Sequence, residues 1–144
     1  MPAFFINPIN EEHIDLLKSL DKQNQDLRVF VSDKISQNFI NKIPGKKAIG
    51  DITDDSHITT ASEGAYCGIF FEESNKNLRE IYLNAIQNSN LQRILWISKE
   101  EPRNDILKIN NLAYIKYSDE NDYFDTVLNL EEVEEVNEKF FDLK

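Results

Sequence analysis

Six short apolar runs, each closed by turn-forming residues, limit what this chain can fold into. They fall at residues 3–6, 28–32, 47–49, 66–71, 93–98 and 113–117. Runs this short and this continuously apolar suit strands buried on both faces. The intervening stretches carry a different period. Ile14, Leu16, Leu17 and Leu20 form an apolar helical stripe behind Asn10, a candidate N-cap, with Glu12 in the first turn. Leu78, Ile81, Tyr82, Ala85 and Ile86 repeat at helical spacing until Gln87-Asn88-Ser89-Asn90 stops them. Shorter helical patterns cover 35–43 and 56–62, and a final helix is expected over 123–141, with a break near Leu130. Strands alternating with helices imply βαβ units and a mainly parallel sheet. The expected fold is a three-layer α/β/α sandwich with a doubly wound sheet.

With 144 residues the chain fits one domain, spanning 1–144. Its single cysteine, Cys67, rules out an internal disulfide, so a reducing, cytoplasmic setting is expected. Met1-Pro2 leads straight into a strand run without a basic leader, and no apolar run approaches a membrane span. The net charge of −10 opposes nucleic acid and anionic lipid. Part of that charge sits in Glu131, Glu132, Glu134, Glu135 and Glu138, in an acidic C-terminal helix placed at 121–144. A solvated helix face explains those residues more simply than a docking site does.

Several segments resemble a known family. The stretch KAIGDITDDSHITTASEGAYCGIFF, residues 47–71, has a strand, a Gly-Asp-hydrophobic-Thr-Asp turn, a short helix, a Gly-Ala turn and a second strand. LREIYLNAIQNSNLQRILWIS, residues 78–98, adds a helix and strand with Arg93 before the strand. Together with the first thirty-three residues, these are similar to the short-chain dehydrogenase/reductase superfamily. The closest resemblance is to its NmrA-like branch of NAD(P)-binding Rossmann proteins, over roughly residues 3–118.

The resemblance implies a cofactor site in which glycines bring backbone N–H groups close to a pyrophosphate. Here the corresponding loop is Asn7-Pro8-Ile9-Asn10, and the first glycine is Gly45. Pro8 removes a donor, Ile9 adds bulk, and Glu11 and Glu12 bring negative charge, so the pyrophosphate mode is expected to be lost. Asp33 matches the acidic residue that would hold a ribose hydroxyl, and Asp51 and Ile52 match positions flanking an adenine. A carboxylate capping a turn is the simpler role for Asp33 and Asp51. The candidate cofactor residues are therefore Asn7, Pro8, Ile9, Asp33, Asp51 and Ile52, as a remnant. Lys34 or Arg79 would have to neutralise any phosphate.

The family's catalytic pair, Tyr-x-x-x-Lys, is absent: Tyr114 precedes Lys116 by two residues. Ser98 falls near the family's serine, with Lys99 beside it, yet no dehydrogenase mechanism has a carrier. His57 near Asp51, Asp54 and Asp55 fits a helix N-terminus, with acidic residues and Ser56 capping it, better than a metal cluster. Cys67 and Trp96 are expected in the core. The expectation is a reduced, non-catalytic relative of the NmrA-like group that binds or regulates, with no resident cofactor or metal. A homodimer packed through residues such as Tyr123, Phe124, Val127 and Phe140 is the expected partnership, with a different protein partner also open. The alternative is a protein that still binds NAD(P) or another adenine nucleotide, with some oxidoreductase-like activity.

Overall fold

The computed structural model describes residues 2–24, 26–118, 123–133 and 135–143. Each apolar run becomes a strand: β1 (Ala3–Ile6), β2 (Leu27–Ser32), β3 (Lys46–Gly50), β4 (Cys67–Phe71), β5 (Arg93–Ser98) and β6 (Leu112–Lys116). A further strand, β7 (Phe140–Asp142), was not anticipated. The helices are α1 (Glu11–Asn24), α2 (Gln37–Ile40), α3 (Asp55–Ala61), α4 (Arg79–Gln87), α5 (Asn104–Leu107) and α6 (Phe124–Glu132). All strand pairs are parallel, in the order β3-β2-β1-β4-β5-β6-β7.

Period-two alternation divides the core between the two faces. Phe5, Val29, Ile69 and Leu95 point to one side, where Leu17 of α1 and Val127 of α6 meet them. Phe4, Phe30, Phe70 and Trp96 point to the other, against Ile58 of α3 and Tyr82 of α4. This is the three-layer α/β/α sandwich expected from the pattern, with the Rossmann-like fold that the resemblance implies. The caps are local: Asn10 Oδ1 accepts the His13 N–H at 2.9 Å, and Asp54 Oδ1 accepts the His57 N–H at 3.2 Å. Glu11 and Glu12 open α1 and Lys22 lies in its last turn, charges that complement the helix dipole.

The C-terminus departs from expectation. The acidic helix placed at 121–144 is only α6, because Val133 turns extended (φ −67°, ψ 151°). Phe140 and Phe141 instead pair with Tyr114 and Ile115, closing the edge that β6 would otherwise leave open. Acidic residues also accumulate at the α6 C-terminus, where the helix dipole disfavours them. Arg93 Nη1 satisfies the last carbonyls there, donating to Leu130 O at 3.1 Å and Glu131 O at 3.0 Å. Glu131 is not a solvated residue: it is buried and accepts from Gln23 Nε2 at 2.7 Å. Tyr123 and Val127 are core residues, whereas Phe140 is exposed. Asn121, Asp122, Glu134 and Lys144, part of the expected helix, lie outside the described residues.

A candidate ligand site at the carboxyl edge of the sheet

The strand order reverses between β1 and β4, and in open parallel sheets that point leaves a crevice beyond the carboxyl ends of the strands. Asn7 follows β1, Asp33 follows β2, Asp51 follows β3, and Glu72 and Glu73 follow β4. A cavity of about 450 Å³ opens there, and Asn7, Ile9, Asp33, Asp51, Ile52 and Glu73 are among its walls. Five of the six expected cofactor residues thus share one cavity. Pro8, the sixth, is buried and does not line it.

The first turn has no glycine, yet one of its residues is left-handed. Asn7 has φ 74°, the left-handed conformation that asparagine tolerates better than other side chains. Its amide lies 3.4 Å from both Phe71 O and Glu73 Oε1. The next N–H is missing at Pro8, and that of Ile9 donates to His13 Nδ1 at 3.0 Å. Because Nδ1 accepts, the ring proton sits on Nε2, 2.8 Å from the Tyr123 hydroxyl. The loop is thus tied internally by a histidine that the sequence reading passed over. Its signal was position: third residue after an Asn cap, beside the apolar stripe of α1.

Burial among Phe5, Phe71 and Tyr123 lowers the His13 pKa from 6.5 to about 4. The unfolded chain therefore takes up the proton first as pH falls. Stability from this group is complete above pH ~6.5 and is lost as pH falls towards ~4. Urea unfolding at pH 7 and pH 5 should differ by about 2 kcal/mol from His13 alone. His13→Gln should flatten the pH dependence across that window. An unchanged slope would show that the imidazole does not titrate this way.

Glu11 and Glu12, expected to crowd a phosphate, are exposed and do not line the cavity; Glu11 pairs with Lys42 at 2.9 Å. Beside the exposed Asp33 and Asp51, half-buried Glu73 is a third carboxylate of the cavity wall. Asp51 caps its own turn, accepting from the Thr53 hydroxyl at 2.7 Å and the Thr53 N–H at 2.9 Å. Those bonds lower its pKa. Among the described residues, the exposed Asp33 carboxylate makes no such bond and is available to a ligand. Lys34 also lines the cavity. Gly50 is required by packing, since a Cβ there would lie 2.3 Å from His57 Nδ1. The His57 ring meets Phe30 edge-on at 4.9 Å.

On the far side of the switch point lies a wider cleft of about 730 Å³, bounded by Glu72, Glu73, Arg79, Glu100 and Arg103 among others. Its floor is a buried polar network absent from the sequence reading. Glu72 receives Arg79 Nε at 3.0 and 2.9 Å and Trp96 Nε1 at 2.8 Å. Arg79 Nη2 then donates to the Tyr114 hydroxyl at 2.5 Å, which donates to Glu100 O at 2.5 Å. Arg79 is thus committed to a carboxylate and lines this cleft, not the smaller cavity. Tyr114 is pushed up to about 12 by burial, although a hydrogen bond with Ser98 opposes the shift. Ser98 Oγ also accepts the Glu100 N–H at 3.0 Å, and the Lys99 ammonium lies 5.6 Å from the Tyr117 ring centre. Cys67 is fully buried, which pushes its thiol up. Among the described residues no three His, Cys, Asp or Glu side chains converge as metal ligands. Nor is any helix there long and apolar enough to cross a membrane.

No family model matches the chain, and no curated protein matches it. Solved structures do. The structure of gox2253 superposes with a TM-score of 0.60 at 12% identity, covering 81% of this chain and 51% of that one. A candidate epimerase from Bacteroides thetaiotaomicron gives 0.58 at 12% identity, covering 81% and 69%. PA4631, a nucleoside-diphosphate-sugar epimerase from Pseudomonas aeruginosa, gives 0.56 at 14% identity, covering 72% and 36%. The chain spans about half the length of the first and about a third of the last. At these identities the likeness establishes the fold.

Proposed function

We propose that this chain is a non-catalytic binding protein of the Rossmann-like group, related to the NmrA-like reductases. Its switch-point cavity takes a nucleoside rather than a dinucleotide. The observation that carries this reading is the bond from the Ile9 N–H to His13 Nδ1, which uses a donor that a pyrophosphate would need. Glu73 adds repulsion at the same crossing. The nucleoside half is better served. Asp33 offers an acceptor for a ribose hydroxyl, while Ile9, Ile35 and Ile52 offer apolar walls for a base.

An oxidoreductase or epimerase reading has less support. Proton transfer near neutral pH needs a group whose pKa lies near the working pH. Tyr114, at about 12 and bonded to Arg79 and Glu100, does not meet that need. Calorimetric titration of the purified chain tests the proposal. Adenosine should bind with a Kd tighter than ~100 μM, about −5.5 kcal/mol, and NAD⁺ and NADPH should give no heat at millimolar concentration. A dinucleotide that binds tighter than adenosine would overturn it.

A further inference from the structure

Beyond the ends of β3, β2, β1 and β4, in that spatial order, stand Asp51, Asp33, Asn7 and Glu73. Along that order, a nucleoside with its base beside Ile52 and its diol at Asp33 would have its 5′ carbon on the side of Asn7 and Glu73. Glu73 lines both the 450 Å³ cavity and the 730 Å³ cleft, so the two spaces adjoin at this residue. The Asn7 amide lies 3.4 Å from Glu73 Oε1.

The charge balance past this point is negative for a specific reason. The two arginines of the cleft are already paired, Arg79 with Glu72 at 2.9 Å and Arg103 with Glu80 at 2.8 Å and Asp105 at 2.5 Å. Lys116 pairs with Glu101. Among the described residues, Glu73 and Glu100 have no cationic partner. Lys34 and Lys76 also line the smaller cavity, but both are exposed, where water and salt weaken their pull. Half-buried Glu73 is less screened.

We infer that the ligand is a nucleoside bearing a positively charged 5′ group, an amine or a sulfonium, and that Glu73 selects it over 5′ phosphates. This rests on the nucleoside reading of the cavity and names the class of ligand. The cation would lie at the junction, with the larger cleft receiving whatever chain extends beyond it.

A series that differs at the 5′ position tests the inference: 5′-amino-5′-deoxyadenosine, adenosine and adenosine 5′-monophosphate, titrated calorimetrically at low salt. The amine should bind about 10-fold tighter than adenosine and the monophosphate about 10-fold weaker, with the spread narrowing as salt rises from roughly 50 to 300 mM. Glu73→Gln, at a half-exposed position, should bring all three within about 3-fold of one another. An amine no tighter than adenosine overturns the inference, as does the same spread in Glu73→Gln. In either case adenosine binding still upholds the nucleoside reading. If none of the three ligands binds, the nucleoside reading fails, and the inference fails with it.

Discussion

Glu72→Ala is expected to cost about 3–5 kcal/mol, the range for removing one partner of a buried ion pair. Glu72 is 6% exposed and serves two donors, the Arg79 guanidinium and the Trp96 indole. Truncation leaves a mostly buried cation and a buried N–H without their acceptor. In a chain of this size the midpoint of thermal unfolding should fall by about 10–15 °C. Trp96, the only tryptophan, reports the transition by its own fluorescence. Glu72→Gln keeps an acceptor for the indole and should recover a large part of the loss. Equal losses in the two variants would mean that the charge, and not the hydrogen bonding, carries the effect. A loss under about 1 kcal/mol in Glu72→Ala would mean that the network does not hold the cleft floor.

Arg93→Ala comes next, at about 2–4 kcal/mol. Arg93 is 2% exposed, starts β5, and reaches across to the last carbonyls of α6. Its guanidinium also lies over the Tyr66 ring, 5.6 Å from the centre. The substitution strips two buried carbonyls of a charged donor and removes positive charge from a helix C-terminus where Glu131 is buried. Chemical denaturation of Arg93→Ala and Arg93→Lys separates the contributions. Lysine retains the charge but cannot present the planar fork, so it should fall between wild type and alanine. Full stability in Arg93→Ala would show that α6 holds its position without the cap.

These two residues also mark the limits of legibility. The strands could be read because Phe4, Val29, Ile69 and Leu95 belong to short apolar runs whose only stable placement is between helix layers. The cap Asn10 could be read because its bond closes within three residues; at α3 the helix start was legible, but the cap is Asp54 and not Ser56. The strand at Phe140–Asp142 could not be read. Phe140 and Phe141 fit a helical stripe with Val133 and Val136, and only the open edge of β6, a feature of the assembled sheet, made pairing better. The site divides in the same way. Asn7, Asp33 and Asp51 were legible because the resemblance to the NmrA-like proteins implies a cofactor position after each strand of the first half. Glu72 and Glu73 also directly follow a strand and were missed, since two acids after an apolar run look like an ordinary exit to solvent. Their roles depend on Arg79, Trp96 and Asn7, which reach them only through the fold.

The bond between His13 and Tyr123 spans 110 residues of sequence. A chain synthesised from its N-terminus exposes Asn7-Pro8-Ile9-Asn10 early, but the ring that ties this loop gains its second partner only when Tyr123 emerges. An all-parallel sheet has no hairpin to shorten that wait, and contacts so distant in sequence form late. The cavity-lining turn therefore belongs to the last part of the molecule to settle, although it is among the first to be made.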